Sequence, residues 1–361
     1  MATGAAEPSS PEAITARWLT RVLRAGGALT GGRVTDVAVL PLGTGTGFMS
    51  VLARLRIGHE RPGADAPASL IVKFPSRHAG AARMDAAFGH YRREFGFYTG
   101  IATQGGACAP MIHHAAFDAR SGGFVIVMED LAPATAADQL AGMSGDAAAA
   151  AIDAIAAFHA RWWGVPVTGA RAWLGDGAVR ARTLEEQSRE LWPAYEAFAG
   201  AALSAKARGV GAALVARVTE LAARAAARPS TVIHGDFRAD NLMFGAGPAR
   251  IIDWQLTAWA PGAFDIAYLL TSSLDADARR ATQQDLMARY HRRLVEHGVA
   301  GYTLADAIAD YRLGALIGWC WPIVGAGMLD LSDARGAALF RVWAARMSAA
   351  VDDLDLAALV A

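Results

Sequence analysis

Lysine is nearly missing from this chain. Of 34 basic residues only Lys73 and Lys206 are lysines, and arginine supplies the rest. Where so arginine-biased a sequence keeps a lysine, the position can require a compact ammonium rather than a planar guanidinium, which directs attention to Lys73. Cysteine is as scarce. Cys108 and Cys320 form no disulfide framework and no metal-ligand spacing, and so predict a reducing, cytoplasmic setting. Net charge is absent, with 34 acidic residues against 34 basic ones, so no overall field gathers nucleic acid or anionic lipid. The N-terminus carries Glu7, Pro8 and Pro11 without a basic-then-apolar run, so no secretory leader is expected. One long uncharged, apolar stretch, Leu313 to Leu329, is broken by Pro322 and by glycines. It falls short of the roughly 20 apolar residues a spanning helix needs, so it reads as a buried helical segment with its turn. No Gly-x-Ser-x-Gly occurs, which argues against a serine hydrolase.

What is present is an ordered, globular composition, 53% apolar and 19% charged over 361 residues, with length enough for one large or two modest domains. Residues 13–25 read as a short amphipathic helix stopped by Gly26-Gly27. Three strand candidates follow: Val34 to Leu40, Met49 to Ile57, and Ser69 to Phe74. From Ala82 to Thr103 the aromatics Phe88, Tyr91, Phe95 and Tyr98 recur at helical steps. Phe124 to Met128 is a continuous apolar strand. Beyond it, alanine-rich helical stretches dominate, interrupted by one strand–loop–strand island from Thr231 to Trp254. The chain therefore divides into a sheet-rich first part, residues 1–130, and a mainly helical remainder, 131–361, through a short hinge near 129–134.

The island carries the chemistry. It reads Val232-Ile233-His234-Gly235-Asp236-Phe237-Arg238-Ala239-Asp240-Asn241, then Arg250-Ile251-Ile252-Asp253-Trp254. Phosphoryl transfer asks a protein mainly for positioning and charge neutralisation. One carboxylate orients an acceptor hydroxyl and takes its proton, while a second carboxylate and an amide oxygen hold magnesium through hard oxygen ligands. Asp236, Asp253 and Asn241 supply that set on a hairpin that brings them close together.

His-Gly-Asp-x-x-x-x-Asn followed by Ile-Asp-Trp resembles the catalytic and metal-binding loops of the aminoglycoside phosphotransferase and choline kinase superfamily. The bacterial ecdysteroid kinase-like branch is the nearest match. The resemblance implies a bilobal, protein-kinase-like α+β fold with a sheet-rich N-lobe and a helical C-lobe. It makes Asp236 the catalytic aspartate, with Asn241 and Asp253 as ligands of Mg2+. Asp265, in Gly262-Ala263-Phe264-Asp265, matches the aspartate that braces the catalytic loop, and His234 supports that loop. ATP is the implied phosphate donor, with GTP not excluded.

A kinase small lobe also requires a strand lysine for the nucleotide phosphates, oriented by a helix glutamate. Lys73 lies in the apolar strand Leu70–Phe74, and Glu94 follows in the next helical stretch, Tyr91-Arg92-Arg93-Glu94-Phe95, which resembles the family's Arg-Glu-x-x-Phe-Tyr pattern. An ammonium inside a strand needs a partner. Gly43, Gly45 and Gly47 stand between the first two strands, where a phosphate-covering loop belongs, although a tight hairpin explains them equally well. Glu129 and Leu131 resemble the hinge that offers backbone groups to adenine. A capped loop accounts for them as well. Phe158-His159 and the Trp162-Trp163 pair read as packing.

The interval from Asp253 to Asp265 is too short to hold an activation segment. The acceptor is therefore a small-molecule hydroxyl, on a metabolite or an apolar alcohol, and neither nucleic acid nor membrane is a partner. An antibiotic phosphotransferase of the aminoglycoside type and a silent nucleotide-binding pseudokinase are the alternatives. Glu185, Glu186, Glu190 and Glu196 could serve a polycation or form a solvated helix face. Trp192, Tyr195, Phe198, Trp319 and Trp321 could line a cleft for an apolar alcohol or lie in the core. Oligomeric state is not encoded in any of these features.

Overall fold

The computed structural model describes residues 7–42, 49–61, 63, 66–104, 108–329 and 331–361, and it divides into two compact units. The first comprises residues 1–103 and 109–132, the second 104–108 and 133–361. The glycines of the expected phosphate loop, Gly43, Gly45 and Gly47, lie outside the described residues.

The first unit opens with α1 (Ala16–Ala25), whose N-terminus is capped by the Thr15 side chain accepting from the Trp18 amide. A five-stranded antiparallel sheet follows, built from β1 (Arg33–Leu42), β2 (Ser50–Glu60), β3 (Ser69–Pro75), β4 (Ile112–Phe117) and β5 (Phe124–Glu129), in the order β1-β2-β3-β5-β4. β1 continues past the predicted stop at Pro41, which pairs with Ala53. An edge strand tolerates a residue without an N–H donor. The predicted helix from Ala82 to Thr103 is two helices, α2 (Ala79–Phe88) and α3 (His90–Gly100), because Gly89 takes φ +66° and ends the first. β4 had no counterpart among the expected strands. Its sequence, Ile-His-His-Ala-Ala-Phe, lacks both strict alternation and a β-branched run. One face of α1 (Trp18, Leu19, Val22, Leu23) and the inward residues Leu55, Leu70, Val72 and Val127 of three strands form a single apolar core.

The second unit is mainly helical. In chain order it holds β6 (Thr135–Ala136), α4 (Gly145–Trp162), α5 (Gly177–Ala199), α6 (Ala205–Leu214), α7 (Val218–Ala226) and β7 (Thr231–Ile233). Then come β8 (Leu242–Phe244), β9 (Arg250–Ile251), β10 (Ala258–Ala260), α8 (Ala263–Ser273), α9 (Ala276–Glu296), α10 (Leu304–Gly318), α11 (Cys320–Met328) and α12 (Ala334–Asp353). The apolar stretch from Leu313 spans the end of α10 and all of α11, and among the described residues no helix is long and apolar enough to cross a membrane. α8 is the hub: nearly all of it is buried, and it packs against α10, α12 and α9. Two small ribbons, β7 with β10 and β6-β8-β9, take in the three strands of the island, β7, β8 and β9, and pair them with β10 and β6 from outside it.

Candidate active site

The His-Gly-Asp stretch leaves β7 and turns at Gly235, which takes φ +83°. A Cβ there would stand 2.4 Å from the Leu256 carbonyl oxygen, so both the backbone angle and the space demand glycine. The turn is pinned from below by Asp265 at the start of α8. One carboxylate oxygen accepts the His234 amide at 2.7 Å and the other accepts the Gly235 amide at 2.8 Å. His159 Nε2 lies 3.2 Å from the first oxygen, and its Nδ1 lies 2.9 Å from the Tyr290 hydroxyl, all of them buried. His159 is thus a structural link behind the loop.

His234 closes the turn from the side. Its Nδ1 accepts the Asp236 amide at 3.1 Å, which leaves Nε2 to carry the proton and donate to the Ile252 carbonyl at 2.9 Å. The ring packs edge-on against Trp254, with centroids 4.6 Å apart. Loop and returning strand are tied again where the Ile252 amide donates to the Asn241 carbonyl at 3.0 Å. Asp253, the next residue, has φ +66°, a left-handed conformation that only small polar residues adopt at modest cost. Strained positions of this kind concentrate at functional sites.

Asp236 is itself buried and surrounded by donors. Asn241 Nδ2 donates to its carbonyl and to Oδ2, each at 2.9 Å. Arg238 Nε stands 3.2 Å from both carboxylate oxygens. The Tyr268 phenol feels the same carboxylate charge. Burial first, then the neighbouring Asp236 charge, holds that phenol well above its ordinary range, so it stays a donor. Burial works against the Arg238 charge, but Asp236 and Asp240 outweigh it and hold the guanidinium above its usual value. Arg238 Nη1 extends the network to Gln139 Oε1 at 2.7 Å and Asp240 Oδ2 at 2.9 Å. Gln139 is fully buried.

Asn241, Asp253, Asp236, His234 and Asp265 are therefore gathered in one loop system. Arg238, Tyr268 and Gln139 belong to it too and went unnoticed in the sequence. Arg238 occupies a freely variable position of the motif. Tyr268 had a usable signal, since it lies one helical turn after Asp265 on the same helix face. Gln139 has none, being far from Arg238 along the chain.

A divalent cation fits the donor set. With its amide nitrogen committed to Asp236, Asn241 turns its carbonyl oxygen to the other side. Asp253 adds a carboxylate, so both donors are hard oxygens. Among the described residues no group of three or more His, Cys, Asp and Glu converges on a point. The protein would thus hold the ion by two ligands and leave the remaining positions to phosphate and water.

In the first unit, Lys73 lies at the centre of the sheet on β3, paired with Leu52 and Ile126. Its Nζ is 2.7 Å from both carboxylate oxygens of Glu94 on α3, and both side chains are buried. At the end of β5 the Glu129 amide donates to the Met111 carbonyl at 2.9 Å. Asp130 accepts Arg54 at 2.6 Å, the Ser69 hydroxyl at 2.8 Å and the Ala132 amide at 3.1 Å. Leu131 is half-buried.

Residues 57–305, more than half of the chain, match the family described as the phosphotransferase enzyme family. The chain belongs to that family. Its fold is that of a protein-kinase-like phosphotransferase. The ethanolamine kinase of Plasmodium vivax superimposes with a TM-score of 0.54 at 12% identity, over 87% of this chain and 81% of the other. The choline kinase of Cryptosporidium parvum Iowa II gives 0.54 at 12% identity, over 92% and 96%. Comparison with curated proteins returned no match.

The acidic and aromatic candidates of the second unit resolve differently. Glu185 is bonded to Arg189 and to the Thr219 amide, both at 2.8 Å, and Glu196 to Arg208 at 3.1 Å. Trp192, Tyr195 and Trp319 are buried together, Trp319 Nε1 donating to the Tyr195 hydroxyl at 3.1 Å, while Phe198 lies under the Arg341 guanidinium. They are core and helix-face residues. Trp321 borders a cavity in the second unit.

Proposed function

We propose that this member of the phosphotransferase family is an ATP-dependent small-molecule kinase that moves a γ-phosphate onto a hydroxyl, with Asp236 as its catalytic residue. The observation that carries the reading is the Asp236 carboxylate itself, held by Arg238 and Asn241 on a turn that Asp265 clamps through two backbone amides. So many donors on one buried carboxylate fix its direction before any substrate arrives, the preorganisation that phosphoryl transfer relies on.

In this mechanism Asp236 accepts the acceptor's hydroxyl proton as the new O–P bond forms, and the bond from the γ-phosphorus to the bridging oxygen breaks to release ADP. Asn241 and Asp253 would hold magnesium, which when bound neutralises charge on the phosphate oxygens. Lys73, oriented by Glu94, would hold the nucleotide phosphates as an ammonium at the end of a buried ion pair. Glu129 and Leu131 would serve the adenine through their backbone. The short interval from Asp253 to Asp265 and the sequence Asp-Trp support placement in the small-molecule, ecdysteroid kinase-like branch. With Glu185 and Glu196 already bonded within the protein, no observation favours a polycationic antibiotic as acceptor.

The test is ATP consumption with Mg2+ against a panel of hydroxylated compounds, with Asp236→Ala as the blank. Turnover that appears with an acceptor and vanishes in the blank supports the reading. Activity retained by Asp236→Ala sinks it. Nucleotide binding with no turnover on any hydroxyl compound would mark a pseudokinase instead.

A further inference from the structure

The second unit contains a cavity of about 470 Å3 between α5, α7, α10, α11 and the segment that runs from Leu256 into α8. That volume is within the range of sites that enclose a drug-sized molecule. Its walls are small. Eight of the lining residues are alanines and five are glycines, so the space exists because these positions lack side-chain bulk. The larger lining groups, such as Leu184, Ile233, Ile317 and Trp259, are apolar or aromatic.

Two observations bear on what the cavity would take. It reaches the catalytic turn: Gly235, the residue before Asp236, lines it, and so does Tyr268 of the adjoining α8. A molecule seated there would lie one residue from the group that receives the hydroxyl proton. The charge of the lining is the second. Among the described residues Asp265 is its only carboxylate, and both oxygens are already taken by the His234 and Gly235 amides, with His159 beside them. No lining acid therefore remains to compensate an ammonium, and a cation moved from water into such a place without a partner is strongly disfavoured. The only lining cation among those residues, Arg180, has its guanidinium over the Trp321 ring, 5.5 Å from the centroid.

We infer that this cavity is the acceptor site and that its acceptor is a compact, uncharged alcohol with an apolar body, rather than an amine, a quaternary ammonium or a sugar polycation. The inference rests on the kinase reading above and narrows it to one substrate class. Apolar area buried against the alanine walls supplies the affinity, and the hydroxyl is the acceptor's one polar end, turned toward Gly235 and Asp236.

The experiment uses the full chain and four named probes. Borneol and 1-decanol represent uncharged alcohols of globular and extended shape, and choline and kanamycin represent cationic acceptors. Binding is measured by calorimetry without nucleotide, and ester formation is measured separately by mass spectrometry with ATP and Mg2+. Wild-type protein is expected to bind at least one of the uncharged alcohols and to phosphorylate it. Ala222→Phe, on the half-buried face of α7, fills the cavity and is expected to weaken that binding at least tenfold. Ala178→Phe, at an exposed position of α5 on the cavity rim, does the same if the first variant unfolds. Equal affinity in wild type and both folded variants overturns the site, and so does binding of neither alcohol. Binding without ester formation overturns its acceptor role. Phosphorylation of choline or kanamycin alone overturns the substrate class while the kinase reading stands. No ATP consumption with any probe, beside alcohol binding that the variants abolish, counts against the kinase reading and leaves an apolar ligand site.

Discussion

Substituting Asp265 by asparagine tests whether the His234–Asp236 turn is clamped in the way the geometry implies. The buried carboxylate accepts two backbone amides at 2.7 and 2.8 Å, one on each oxygen. Asparagine keeps its shape but has one oxygen, so its NH2 group must face one of the two N–H donors. That loses one charge-assisted hydrogen bond, worth about 1.5–3 kcal/mol. It also weakens the surviving one to a neutral bond of roughly half the strength. The sum is a loss of about 3 kcal/mol, a large part of the stability of an ordinary domain. Urea unfolding followed by far-UV circular dichroism measures it, and the fluorescence of buried Trp254 beside the loop reports the same transition locally. Because the turn also carries Asp236, ATP turnover should fall with stability in Asp265→Asn, at temperatures where the variant remains folded. A change no larger than that of an ordinary surface substitution, about 0.5 kcal/mol, with turnover intact, would refute the clamp.

Three further outcomes follow from named contacts. Gly235→Ala must place a Cβ 2.4 Å from the Leu256 carbonyl at φ +83°, and we expect at least about 2 kcal/mol of destabilisation in the same unfolding assay. Glu94→Gln removes the carboxylate 2.7 Å from the buried Lys73 ammonium and should cost about 3–5 kcal/mol. The double variant Lys73→Met with Glu94→Leu should recover much of that stability while ATP turnover remains lost, separating the ion pair's structural part from its chemical one. At Asp130, burial pushes the carboxyl up, but the hydrogen bonds from Arg54, Ser69 and the Ala132 amide prevail and hold it below its ordinary 3.8. A depressed folded value adds stability above the unfolded pKa and loses it as pH falls through the folded one. Asp130→Asn should therefore lower the melting temperature at pH 7, and the gap to wild type should close as pH falls below 3.8. A gap that widens in acid would reverse the sign.

Much of this was legible because the chemistry is local in sequence. His234, Gly235, Asp236 and Asn241 sit in one short loop, and a short strand and the start of α8 deliver Asp253 and Asp265 at fixed offsets, so spacing alone brings them together. Lys73 stood out by rarity, and its strand by apolar composition. The break at Gly89 was hidden because aromatic periodicity continues across it, and β4 because its pattern is not that of a strand. The Arg238–Gln139 bond joins residues far apart in sequence and depends on side-chain direction. The aromatics Trp192, Tyr195 and Trp319 carry the same letters whether they line a cleft or a core. Only packing, which Trp319 completes through its bond to Tyr195, distinguishes the two.

On the reading proposed above, Asp236 performs the proton-accepting step of a phosphoryl transfer. Single-turnover ATP consumption by wild type and Asp236→Asn, with an acceptor found in the hydroxyl panel, tests it most directly. Asparagine preserves the size of the side chain and cannot accept the proton, so the chemical rate should fall about 100-fold or more, with nucleotide affinity unchanged. A rate within a few-fold of wild type would contradict it.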